Sequence, residues 1–121
     1  MPAKHIYIES ADQLDSILSG SSDCPIVLLK HSVTCGISAH ILYQLSAEID
    51  CDIHIIVVQT HRLLSNMVAE LMGHRHQSPQ MFVIADGKAI HHATHYGING
   101  RDIIKWIPLK AADASAADAA I

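Results

Sequence analysis

Pro25-Ile26-Val27-Leu28-Leu29-Lys30-His31-Ser32-Val33-Thr34-Cys35-Gly36-Ile37-Ser38 decides how the rest of the chain is read. The apolar run from Pro25 to Leu29, closed by Lys30, lacks polar alternation, as expected of a strand buried on both faces. Beyond Cys35, Ile37, Ile41, Leu42, Leu45 and Ile49 recur at helical spacing. The stretch therefore predicts a buried strand that turns into an amphipathic helix at a single cysteine. Backbone N–H groups and the helix dipole stabilise a thiolate at such a junction. The residue three positions on is Ser38, not a second cysteine. The pattern points to a one-thiol redox centre that takes its resolving thiol from another molecule.

Outward from this core, Ser10-Ala11-Asp12-Gln13 has capping-box spacing, with Gln13 reaching back to Ser10. Leu14, Ile17 and Leu18 follow at helical spacing, and Gly20 ends the segment. His5 to Ile8 reads as a short preceding strand, and Cys51 to Val58 as a second buried strand. Leu63, Leu64, Met67, Val68, Leu71 and Met72 predict the apolar face of another helix, closed by Gly73. After the loop His74-Arg75-His76-Gln77-Ser78-Pro79, segments 80–85 and 88–92 flank Asp86-Gly87, a two-residue hairpin signal. A last helix is expected from about Asn99 to Ile107, with Asn99 as N-cap and Asp102 in its first turn.

Helical connections between the early strands imply parallel pairing, whereas the Asp86-Gly87 turn implies an antiparallel hairpin. The order is that of an α/β thioredoxin-like three-layer sandwich, a mixed central sheet with helices on both faces. One such domain is expected over residues 1–110. The Ala/Asp-rich tail, 111–121, receives no function.

The bulk composition narrows the function classes. The chain has 121 residues, half of them hydrophobic and 17% charged, which suits one domain with a real core. A net charge of −4 with neutral histidines argues against a nucleic-acid module. No apolar run approaches the ~20 residues of a membrane span, and the N-terminus lacks a signal-peptide pattern. Three cysteines do not form a secreted disulfide framework, so a reducing cytoplasm is the expected compartment.

A thiol must ionise to attack a disulfide. Its ordinary pKa, near ~8.5, falls at helix N-termini and beside cations. The N–H groups of Gly36, Ile37 and Ser38 are expected to face the Cys35 sulfur, with the Ser38 hydroxyl as a further donor. Lys30 and His31, just upstream, would add positive potential, and Gly36 leaves room for a mixed disulfide. Thr34 lies beside the thiol in sequence. Pro79 precedes the hairpin, where a cis Ser78–Pro79 bond would present the Ser78 backbone to an incoming thiol or peptide. Cys24 and Cys51 precede the two parallel strands. A five-residue strand puts them roughly 16 Å from Cys35, so both read as structural and as near neighbours of each other.

Lys30-His31-Ser32, Thr34-Cys35-Gly36-Ile37-Ser38, Val58-Gln59, Ser65-Asn66 and His76-Gln77-Ser78-Pro79-Gln80 resemble the YtxJ family over about Ile8 to Ile107. These are monothiol bacilliredoxins of the bacillithiol system, with a thioredoxin-like fold. The resemblance implies that Cys35 is the nucleophile and that Ser78 and Pro79 line the active site. It implies client proteins carrying a bacillithiol mixed disulfide as substrates, bacillithiol as co-substrate and no bound cofactor. Lys30, Arg75 and protonated His76 become expected contacts for its carboxylates. A monomer or weak dimer is expected, with no nucleic-acid or membrane partner. The family usually has proline after the cysteine; this chain has Gly36.

Three other readings compete. Cys35-Gly36-Ile37-Ser38 also resembles the Cys-Gly-Phe-Ser site of monothiol glutaredoxins, which share a [2Fe-2S] cluster or use glutathione. The Gly-Gly-x-Asp signature of that family is replaced here by His91-His92-Ala93-Thr94. A metal-binding module would draw on His74, His76, His91, His92 and His95, but no compact ligand pattern stands out, and no metal site is assigned. A non-catalytic thioredoxin-fold adaptor is the third.

Overall fold

Side chains along β2 (Ile26–His31) alternate between two cores. Val27 and Leu29 enter one apolar cluster with Ile41, Leu42 and Leu45. Leu28 enters the other with Leu14, Leu64 and Val68. Both faces of the strand are thus covered, which is why its sequence is continuously apolar. The computed structural model describes residues 3–107. Within them β2 is joined by β1 (His5–Tyr7), α1 (Ala11–Gly20), α2 (Gly36–Glu48), β3 (Ile53–Val57), α3 (Arg62–Met72), β4 (Gln80–Ala85), β5 (Lys88–Thr94) and α4 (Gly100–Ile103), with a 3-10 turn at His95–Gly97. The expected end of the domain at residue 110 and the tail 111–121 lie outside the described residues.

The sheet order is β1-β3-β2-β4-β5. β3 pairs in parallel with β1 and β2, and β4 pairs antiparallel with both β2 and β5. Helices α2 and α4 cover one face, α1 and α3 the other. The mixed three-layer α/β sandwich is therefore as expected. The Asp86-Gly87 turn has φ of 52° and 71°, the left-handed pair that matches strand twist in a two-residue hairpin. The capping box is present in altered form. Gln13 N–H donates to Ser10 Oγ at 3.1 Å, while Gln13 Oε1 accepts from the Glu9 N–H at 2.9 Å instead of from Ser10.

Several expectations need correction. The last helix is four residues long, not nine. Asn99 caps it through Asp102 N–H, but Lys105 and Trp106 then donate to carbonyls three residues back, which tightens the chain into turns. Ile104 and Trp106 stay exposed, so no apolar stripe draws a longer helix onto the core. On α3 the buried stripe is Leu64, Val68 and Met72; Leu63 and Leu71 face solvent. The second buried strand is shorter, Ile53–Val57, and β5 is longer, reaching Thr94.

Gly100 closes α4 onto α2. Its N–H donates to Glu48 Oε1 at 2.9 Å, and a Cβ there would collide with Glu48 Cβ and lie 3.1 Å from Ile49 Cγ2. Gly100→Ala is therefore expected to cost about 1–3 kcal/mol through overpacking. A thermal melt should show a lower midpoint with the fold retained.

Candidate active site

The carboxyl ends of β2, β3 and β5 and the amino end of β4 share one rim of the sheet. Lys30 lies opposite Gln80, which lies opposite Thr94. Val58 N–H donates to His31 O at 3.0 Å, and His95 N–H to Pro79 O at 3.0 Å, so adjacent strand ends stay tied beyond the ladders. Cys35 follows the end of β2 as the N-cap residue of α2, with extended backbone. It is half-buried. The Ser78–Pro79 peptide, at the start of the neighbouring strand, is cis.

The surroundings of the thiol differ from expectation in two ways. Cys35 makes no side-chain capping bond, so its sulfur is not hydrogen-bonded to the first-turn N–H groups of Gly36, Ile37 or Ser38. Nor does Ser38 donate to it. Ser38 is fully buried, accepts from Ser32 N–H at 3.0 Å and bonds His31 Nδ1 at 2.6 Å. The side chain occupying the place of a second cysteine therefore locks the β2–α2 connection instead of touching sulfur. Burial, and then nearby His5, holds the His31 pKa below its ordinary value.

A residue given no role in the sequence reading completes this connection. Gln59, just past β3, donates through Nε2 to Ser32 Oγ at 2.6 Å and Thr34 Oγ1 at 3.0 Å. Its Oε1 accepts from Val33 N–H at 3.2 Å. One amide thus fixes three successive residues before Cys35. Its sequence signal was a polar side chain directly after an apolar strand. Gly36 begins α2, and Ile37 packs on the α2-side core.

On the opposite face, Lys30 is fully buried, two residues beyond Leu28. It cannot meet a ligand directly, contrary to expectation. Its ammonium lies 3.3 Å from His76 Nδ1, and Ser65 Oγ lies 3.0 Å from the same nitrogen. Among the described residues the ion pair present joins Asp102 of α4 to Lys105 just beyond it, so Lys30 has no carboxylate partner there. Burial pushes its pKa down to about 8. His76 is also held below the ordinary histidine value, by burial first and then by Lys30 and Arg62. That direction favours the uncharged imidazole over the protonated contact that was expected.

Gln80 seats the same loop. Its Nε2 donates to Arg75 O at 2.9 Å and to His92 Nε2 at 3.0 Å, while its Oε1 accepts from Gln77 N–H at 3.3 Å. His92 stacks on His74 with centroids 3.9 Å apart, and burial followed by nearby His74 lowers its pKa. Arg75 is exposed, Pro79 is buried, and the Ser78 hydroxyl is buried without a partner among the described residues. Cys24 and Cys51 line one cavity of about 480 Å³ at the other end of the sheet with Asp52 and His54. They are remote from Cys35, as expected. Among the described residues, no three His, Cys, Asp or Glu side chains converge as metal ligands. No helix there is long and apolar enough to cross a membrane.

A sequence model of the family described as monothiol bacilliredoxin BrxC matches residues 6–103. The chain belongs to this family. A solved structure described as a candidate oxidoreductase with a thioredoxin fold is 30% identical, covering 84% of this chain and 91% of that one, with a TM-score of 0.77. Thioredoxin from Malassezia sympodialis (14% identity, 87% and 88% covered, TM-score 0.66) matches in fold. So does thioredoxin from Nicotiana alata (19%, 89% and 96%, 0.64). The bacilliredoxin therefore has the thioredoxin fold and a thiol redox function. Its family membership implies a small thiol and protein thiols as substrates.

Two substitutions test the local physics. A Cβ at Gly36 would meet nothing within 4 Å, and Cys35, with φ −105° and ψ 119°, already has the backbone that a following proline requires. Gly36→Pro should stabilise the protein by about 0.4–1 kcal/mol, chiefly by restricting the unfolded chain, and raise the melting midpoint by a few degrees. Lys30→Met removes a buried charge without a carboxylate and should stabilise at pH 7 by about 1–3 kcal/mol. In the wild type, the unfolded lysine titrates near 10.5 and the folded one near 8, so the unfolded chain binds more protons between them. Wild-type stability should rise with pH across that window, and denaturant melts of Lys30→Met should lose the rise.

Proposed function

We propose that this bacilliredoxin removes a low-molecular-weight thiol, bacillithiol, from mixed disulfides on client proteins. The Cys35 thiolate attacks the small-thiol sulfur of the client disulfide. A new Cys35–small-thiol disulfide forms, the old bond breaks, and the client cysteine leaves as a thiolate that takes a proton from solvent. A second small-thiol thiolate then attacks the adduct. It releases the small-molecule disulfide and regenerates the Cys35 thiolate, so electrons balance without a bound cofactor.

The observation that carries this reading is the isolation of Cys35. It stands at the rim beside cis Ser78–Pro79, its third neighbour is a buried serine held by His31, and the other cysteines line a cavity at the opposite end. A thiol so placed has no intramolecular resolving partner, and the second step falls to a free thiol. Thr34, Gly36, Ile37 and Ser38 shape the thiol's approach, with Lys30 and His31 bracing it from the two faces. Ser78 and Pro79 line the approach of the substrate, and Arg75 and His76 offer contacts to the small thiol. A cytoplasmic setting supplies the reduced thiol that the second step consumes.

Intact-mass measurement of reduced protein with bacillithiol disulfide, with glutathione disulfide in parallel, tests the reading. Wild type should gain one bacillithiol adduct that clears with free bacillithiol, and Cys35→Ser should gain none at that site. Equal labelling of Cys24 and Cys51, or no adduct, would overturn it.

A further inference from the structure

We infer that Lys30 and Ser65 act as a tautomer clamp, holding the His76 ring proton on Nε2 so that a neutral N–H donor faces the carboxylates of the incoming small thiol. The inference rests on the exchange reading above and adds the part played by a buried cation.

A lysine ammonium has three donors and no acceptor. Its approach to His76 Nδ1 at 3.3 Å therefore makes that nitrogen the acceptor. Ser65 Oγ, 3.0 Å away, converges on the same atom. A neutral imidazole that accepts at Nδ1 carries its proton on Nε2. Since Nδ1 is turned toward a fully buried ammonium while His76 as a whole is exposed, the Nε2 edge is the outward one. It belongs to the loop that leads, two residues later, into cis Ser78–Pro79 at the thiol rim.

The electrostatic setting suits an anion. The groups acting on this ring are Lys30 from β2 and Arg62 and Ser65 from α3, with His74 and Arg75 neighbouring it in its own loop. None of them is a carboxylate. Gln80 treats His92 in the same way, since its amide donates to His92 Nε2 and leaves that proton on Nδ1. His76 is thus a neutral N–H donor backed by one buried positive charge. Such a donor binds a carboxylate through a directed hydrogen bond.

Nitrogen-15 NMR of the histidine rings and exchange kinetics test this together. In the wild type, His76 should show an acceptor-type Nδ1 and a protonated Nε2 between pH 6.5 and 8. In Lys30→Met the ring should populate both tautomers and titrate closer to pH 6.5. His76→Phe should slow Cys35 adduct formation with bacillithiol disulfide five- to tenfold but change the rate with uncharged bis(2-hydroxyethyl) disulfide less than twofold. His76→Gln, which keeps an N–H donor, should retain the wild-type preference. A protonated Nδ1 in the wild type, or equal slowing of both disulfides by His76→Phe, would overturn the clamp. Failure of wild-type Cys35 to react with either disulfide would overturn the exchange reading instead, and the spectra would still decide the tautomer.

Discussion

The Lys30 ammonium, buried at the end of the central strand with no carboxylate beside it among the described residues, is the constraint around which this site is organised. A lone buried charge costs several kcal/mol unless polar groups answer it. Here the answer comes from His76 Nδ1, on a loop distant in sequence. To reach Lys30 the loop must fold inward, and Ser65 on α3 and the Gln80 amide on β4 hold it there. The cis Ser78–Pro79 peptide is carried by this same loop, so the buried cation helps place the segment that enters β4 at the rim.

The central sheet divides the supporting interactions into two independent sets. On the α2 face, His31, Ser38 and the Ser32 N–H fix the strand-to-helix connection. On the α3 face, Lys30, Ser65, His76, Gln80 and His92 fix the loop. Gln59 crosses the rim and holds residues 32–34 from the neighbouring strand. These side chains bond to one another, and the Cys35 sulfur caps none of the first-turn N–H groups. A thiol held by its backbone, with its sulfur uncommitted to a cap, keeps that sulfur available for exchange.

The cysteines follow the polarity of the strands. Ligand sites in open α/β sheets gather outside the carboxyl ends of parallel strands, where the chain turns into helices and backbone N–H groups converge. Cys35 lies at that end and is followed by α2, whereas Cys24 and Cys51 precede their strands and line a cavity at the other end. The same chemical group is thereby given different environments by strand direction alone.

The sequence by itself determined the layers, the parallel sense of the early strands implied by helical crossovers, the antiparallel Asp86-Gly87 hairpin, and the thiol at the start of α2; the spatial strand order came from the structure. These are local or periodic properties: a run apolar on both faces, a repeat at helical spacing, a turn needing two positive φ values. It also determined that Cys24 and Cys51 lie far from Cys35, because strand length sets that distance. It misplaced Leu63 and Leu71 and extended the last helix to Ile107, because hydrophobicity does not say how wide a stripe the sheet can cover. Only the tertiary structure decided the partners of the polar side chains. Ser38 stands three residues from Cys35 yet bonds His31, and Lys30 stands five residues from Cys35 yet meets His76, because alternation along β2 sends neighbouring residues to opposite faces of the sheet. The protonation of His76 was likewise beyond the sequence, since it is set by a burial and a neighbouring charge that exist only once α3, β2 and the loop have come together.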